Sequence, residues 1–146
     1  MALFLRFLLG ALMLVGTQAA MLQFGSMVKH ITKRPPLNSF AFYGCYCGLG
    51  GGGWPVDEID WCCHAHDCCY GDLISQHCSP YGQRYNFTRI EDDITCEDED
   101  LTGCARESCE CDREIAHCFK QFDRQYSRKN NRNYARKNCD GESPPC

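Results

Sequence analysis

The chain has 146 residues, a formal charge of −4 and 14 cysteines. Cysteine at that density and even number excludes a reduced cytosolic domain as the default and predicts a disulfide framework, seven bridges if all pair, in one compact, loop-rich domain. Nothing in the charge or composition suggests base-specific reading of nucleic acid.

Residues 1–19 run from Arg6 through the apolar stretch Phe7 to Gly16 to small residues at Thr17 and Ala19. This is a signal-peptide pattern, with Ala20 as the first mature residue. The apolar run is about ten residues and a membrane span needs roughly 20, so an anchor is the weaker reading. Residues 20–146 are then a single secreted, extracellular domain with a C-terminal extension from about residue 140. Met21, Phe24, Val28 and Ile31 place an apolar stripe on an N-terminal helix that Pro35-Pro36 ends. That stripe suits core packing, and at the mature N-terminus it could equally line a channel for acyl chains. A glycine loop follows, from Tyr43 to Gly53. Asp57 is placed to cap a second helix over about 58–73. Arg84 to Cys96 reads as a small hairpin, and a third helix is expected from near Ser108 to about Tyr126. The expected fold class is mainly α and disulfide-rich, with a small two-stranded β-wing.

Cysteine spacing carries the argument to chemistry. Cys62 and Cys69 are seven apart on the second helix, as are Cys111 and Cys118 on the third, so each pair shares one face. Two antiparallel helices can be stapled by Cys62–Cys118 and Cys69–Cys111 without register conflict. His66 lies on the same inner face, and Asp112 is offset from it by roughly 3 Å along the axis. Asp112 can therefore orient His66 as a general base toward water. Asp67 points about 100° away and needs another task. The loop from Tyr46 to Gly50 can turn carbonyls inward, and three carbonyls, a carboxylate and waters suit Ca2+; Cys47–Cys63 would hold that loop to the helix. The alternatives for the glycine run are a plain linker and a phosphate loop, the latter lacking a Gly-Lys-Ser/Thr ending. A zinc centre on Cys-Cys-His-x-His is disfavoured because adjacent cysteines do not readily face one tetrahedral ion. His64 faces away from His66 and reads as exposed or structural; His77 fits no pattern.

Charge is polarised along the chain. Residues 90–112 carry acids from Glu91 to Asp112 against Arg106 alone, whereas Arg113, Lys120, Arg124, Arg128, Lys129, Arg132, Arg136 and Lys137 follow, with Glu114 and Asp123 between them. Two solvated faces account for most of this; a basic patch for anionic lipid or heparin-like polymers is the sharper reading.

The motifs Tyr-Gly-Cys-Tyr-Cys-Gly-Leu-Gly-Gly at 43–51, Asp-x-Cys-Cys-x-x-His-Asp-Cys-Cys-Tyr at 60–70 and Cys-Glu-Cys-Asp at 109–112 resemble the secreted phospholipase A2 family. Cys68 with a terminal Cys146 resembles its group II branch. The resemblance implies His66 as the base, Asp112 as its partner, and Tyr70 and Tyr85 bonded to that aspartate. It implies Ca2+ on the carbonyls of Tyr46, Gly48 and Gly50 and the carboxylate of Asp67, with the Gly48 amide at the oxyanion. The expected reaction is hydrolysis of the sn-2 acyl ester of glycerophospholipids to lysophospholipid and free fatty acid. The implied bridges are Cys45–Cys139, Cys47–Cys63, Cys62–Cys118, Cys68–Cys146, Cys69–Cys111, Cys78–Cys104 and Cys96–Cys109. Tyr81 stands where relatives carry lysine or tyrosine and could contact the substrate phosphate. Leu22 and Phe24 are further substrate-binding candidates, and Met21, Leu22, Trp54 and Trp61 candidates for contact with a phospholipid surface, ordinary packing being the alternative for each tryptophan. Asn86-Phe87-Thr88 is an N-glycosylation sequon. A monomer is expected. The competing class is a receptor-, channel- or matrix-binding protein on the same scaffold, whose sequence sign would be loss of His66 or Asp67; neither is lost.

Overall fold

A computed structural model describes residues 20–97 and 102–146. The expected leader and residues 98–101, with the acids Asp98, Glu99 and Asp100, lie outside the described residues. α1 covers residues 20–32, and a short α2 spans Pro36–Ser39. α1 stops ahead of the proline pair, where Lys33 takes a φ of +60°, and Pro36 opens α2 because its fixed φ suits a first helical turn. The apolar stripe of α1 is divided. Val28 and Ile31 are buried together with Met27, which the predicted stripe omits, while Met21 is 61 % and Leu22 74 % exposed.

α3 is Glu58–Ser75, two residues longer than expected, and the Asp57 side chain caps it by accepting from the Asp60 amide at 3.0 Å. α4 is Cys104–Gln121. It begins four residues before Ser108 and stops five short of Tyr126: Gly103, at φ +75°, starts it without a side-chain cap, and a 3-10 turn over Asp123–Gln125 replaces its expected end. α3 and α4 run antiparallel, bridged by Cys62–Cys118 and Cys69–Cys111. Their buried faces close on Phe40, Tyr43, Ile59, Ile115 and Phe119, with the Phe40 and Phe119 rings stacked 4.0 Å apart.

The wing pairs β1 (Phe87–Ile90) with β2 (Asp93–Cys96) antiparallel, Phe87 opposite Cys96 and Ile90 opposite Asp93. Only Ile94 and Cys96 of the two strands are buried, so Cys96–Cys109 and the Arg113 Nε donor to the Ile94 carbonyl at 2.7 Å tie the wing to α4. The C-terminal stretch, with α5 (Arg128–Asn131) and a 3-10 turn (Arg136–Asn138), returns to the glycine loop through Cys45–Cys139 and to α3 through Cys68–Cys146. Together with Cys47–Cys63 and Cys78–Cys104 these make seven bridges, and no cysteine is free. No helix among the described residues is long and apolar enough to cross a membrane.

Candidate active site

The α3–α4 pairing brings His66 and Asp112 together, with His66 Nε2 2.7 Å from Asp112 Oδ1. A carboxylate only accepts, so Nε2 carries the ring proton and Nδ1 is left with its lone pair free to accept one. Asp112 is 1 % exposed and takes two further hydrogen bonds, from Tyr70 at 2.8 Å on Oδ1 and from Tyr85 at 2.5 Å on Oδ2. A buried carboxylate without such donors would be costly; with three it is satisfied and fixed in orientation. Burial first, then the Asp112 charge, drives both phenols far above the ordinary tyrosine range, so they remain donors.

The wall around the imidazole is aromatic. Phe24 of α1 stacks on His66 with centroids 5.1 Å apart and planes within 9°, and the Tyr70 ring lies 4.2 Å from it on a tilt. Tyr81 meets Tyr70 edge-on at 5.1 Å, and its phenol is raised by burial and then by the charge of Asp67. Leu22, by contrast, is an exposed residue of α1. Gln23 joins α1 to this wall by donating to the Tyr85 carbonyl and accepting from the Tyr85 amide at 3.4 Å. A glutamine with backbone partners has no sequence signature, and the sequence reading passes over it.

The glycine loop is anchored from beneath by Asp60, which sequence alone presents as one more acid in the first helical turn. Asp60 is fully buried and accepts from the amides of Cys45 at 2.7 Å, Tyr46 at 2.8 Å and Val56 at 3.0 Å. Gly44, at φ +58°, leaves that carboxylate its room: a Cβ there would sit 2.3 Å from Asp60 Cγ. Cys47–Cys63 then draws the loop against α3, and Gly48 and Gly50 both take positive φ, +142° and +69°.

Asp67 leaves α3 in its own direction. It is half-buried and makes no hydrogen bond or ion pair among the described residues; burial is the first cause that raises its carboxyl above the ordinary range, opposed by His66, His64 and Arg136. A desolvated, unpaired carboxylate, together with a tethered glycine loop whose Tyr46, Gly48 and Gly50 carbonyls accept no hydrogen bond among the described residues, is a donor set suited to a hard cation such as Ca2+. Among the described residues zinc has no such set. His64, Cys68 and Cys146 do cluster within 4.8 Å, but Cys68 and Cys146 are bonded to each other. His64 is buried rather than exposed: Tyr46 and Trp61 meet its ring edge-on, and its Nε2 donates to the Pro144 carbonyl at 3.1 Å. Trp61 is thereby a half-buried packing residue, whereas Trp54 leans on it and stays 58 % exposed. Asn86 is exposed next to buried Tyr85, and His77 is exposed at the end of α3.

The phospholipase A2 family model matches residues 21–131, a span that holds the glycine loop, His66, Asp67 and Asp112. The chain belongs to the phospholipase A2 family. A phospholipase A2 of Pithecopus azureus is 48 % identical over 98 % of this chain and 97 % of its own. Mouse group IIE secretory phospholipase A2 is 48 % identical over 86 % of each chain, and the bovine membrane-associated phospholipase A2 is 42 % identical over 95 % of this chain and 96 % of its own. These likenesses put the protein with the group II secreted phospholipases A2, and its mainly helical, seven-bridge fold is consistent with that family.

Proposed function

We propose that this protein is a secreted, calcium-dependent phospholipase A2 that hydrolyses the sn-2 acyl ester of glycerophospholipids at a membrane surface. The observation that carries the reading is the imidazole of His66, held by a buried carboxylate with two tyrosine donors, beside a covalently tethered glycine loop and the unpaired Asp67. In this scheme Nδ1 of His66 takes a proton from water as the water oxygen bonds to the ester carbonyl carbon. Asp112 stabilises the imidazolium at Nε2. As the bond to the glycerol oxygen breaks, the imidazolium returns that proton to the departing alkoxide, giving lysophospholipid and a fatty acid. Tyr70 and Tyr85 hold Asp112 in place without exchanging protons themselves. The Tyr46, Gly48 and Gly50 carbonyls and Asp67 would hold Ca2+, which supplies charge for the substrate phosphate and the developing oxyanion.

Exposed Met21, Leu22, Leu49, Trp54 and Tyr81 offer apolar and interfacial contact to lipid, and Phe24 beside His66 offers an apolar wall to an acyl chain. Export by residues 1–19, a monomeric state and glycosylation at the exposed Asn86 belong to the same proposal. Exposed Lys120, Arg124, Arg128 and Lys129 are among the residues available to heparin-like polymers.

The test is fatty-acid release from phosphatidylcholine and phosphatidylglycerol vesicles by the mature protein, with millimolar calcium or a chelator, and with His66→Gln as control. Release that requires both calcium and His66 supports the enzyme. No release by a folded, calcium-binding protein would leave a binding role on the same scaffold as the better account.

A further inference from the structure

Arg136 lies outside every motif that marks the site, yet its guanidinium enters the glycine loop. Nη1 donates to the Cys45 carbonyl at 3.1 Å and Nη2 to the Leu49 carbonyl at 3.0 Å. Neither carbonyl belongs to the proposed ligand set. Each neighbours one that does: Cys45 precedes Tyr46, and Leu49 lies between Gly48 and Gly50. Peptide units are planar, so fixing the Leu49 carbonyl leaves only the torsions at adjacent α-carbons to aim the carbonyls on either side. On the Gly50 side those torsions are unusually free, which makes an external restraint more valuable there than in an ordinary loop.

The restraint is itself restrained. Arg136 opens the 3-10 turn Arg136–Asn138, and Cys139 immediately after that turn is bonded to Cys45. The guanidinium thus closes a ring through a disulfide onto the residue whose carbonyl it holds. A planar fork can bridge two carbonyls at fixed spacing, whereas an ammonium on a flexible stem cannot do so with the same rigidity.

We infer that Arg136 is a positioning residue for the cation loop, clamping the Cys45 and Leu49 carbonyls so that those of Tyr46, Gly48 and Gly50 are preorganised to bind Ca2+. The inference rests on the calcium reading proposed above. Its interest lies in a conflict of sign. Arg136 also places a positive charge near Asp67, where it is among the groups that oppose the rise in the carboxyl pKa. As a charge it repels a cation; as a clamp it favours one by removing the ordering cost of the loop.

Calorimetric calcium titration of the mature protein and three variants separates the two effects. Arg136→Ala should weaken calcium binding about tenfold, the equivalent of one charge-assisted hydrogen bond. Arg136→Lys, which keeps the charge and loses the fork, should weaken it at least as much. Lys137→Ala removes an adjacent positive charge and should stay within about twofold of wild type, since an exposed charge is strongly screened. In calcium-free protein, Arg136→Ala should also quicken hydrogen exchange at the amides of residues 47–52 while the exchange pattern of α3 and α4 is preserved, which guards against general misfolding. Equal or tighter calcium binding by Arg136→Ala, with normal binding by wild type, overturns the clamp and leaves charge as the whole effect. A wild-type protein that binds no calcium overturns the calcium reading and the clamp with it.

Discussion

Asp112→Asn tests the site at its most constrained point. The substitution keeps the shape of the side chain and removes its charge, but three donors converge on it: His66 Nε2, the Tyr70 hydroxyl and the Tyr85 hydroxyl. An amide has one oxygen to offer. If that oxygen stays toward His66 and Tyr70, the NH2 meets Tyr85, whose hydroxyl must accept and turn its proton elsewhere. The imidazole then keeps its useful tautomer and loses only the charge that stabilises it when protonated. Two unit charges 4 Å apart at an effective dielectric constant near 20 interact by about 4 kcal/mol, or about a thousandfold in rate. If the amide turns the other way, its N–H faces Nε2, the ring proton moves to Nδ1, and the base is lost in that fraction of molecules. Both orientations predict a fall in kcat of about 10³ or more with calcium affinity retained. Initial rates of fatty-acid release at saturating calcium, paired with calorimetric calcium titration, would measure both. A variant that binds calcium normally and keeps more than about a tenth of the wild-type kcat would refute the His66–Asp112 mechanism.

Two further outcomes follow from the supports of the site. Gly44→Ala should destabilise the fold by at least about 1–3 kcal/mol, because its φ is strained for alanine and the new Cβ meets the Asp60 carboxylate; an unchanged denaturant midpoint would contradict the anchoring role given to Asp60. Among the seven tyrosines, spectrophotometric titration should find Tyr43 ionising late, pushed up to about 12 by burial and then by its bond to Asp57, with Tyr70 and Tyr85 silent until the protein unfolds. A phenol that ionises less readily when folded stabilises fully below pH 10 and loses that contribution as pH rises through about 12, so Tyr43→Phe should flatten the alkaline fall in thermal stability.

The helix pair was legible in the sequence because cysteines seven apart report a shared face, and that face carries His66 to Asp112 without any knowledge of side-chain positions. The cap at Asp57 was legible for a similar reason, since the signal and the structure it makes are local. What escaped depends on partners distant in sequence or on backbone groups. Asp60 reads like its neighbour Glu58 until the loop folds under it, and Gln23 and Arg136 bond mostly to carbonyls and amides, which every residue possesses. The limits of α4 escaped because a glycine at φ +75° begins the helix where no capping side chain announces it.

The two staples between α3 and α4 also govern how the protein would lose activity. His66 lies between Cys62 and Cys69 along one helix, and Asp112 between Cys111 and Cys118 along the other. Fraying can open loops, wing or chain ends at little cost, but it cannot separate these two side chains while both bridges hold. Loss of the His66–Asp112 pair should therefore coincide with global unfolding, whereas opening of the glycine loop alone would halt the proposed catalysis reversibly; with the bridges intact the paired helices would find each other again on cooling. For the exported protein proposed above, working life would then be limited by the chemical endurance of its cystines rather than by passing openings of its loops.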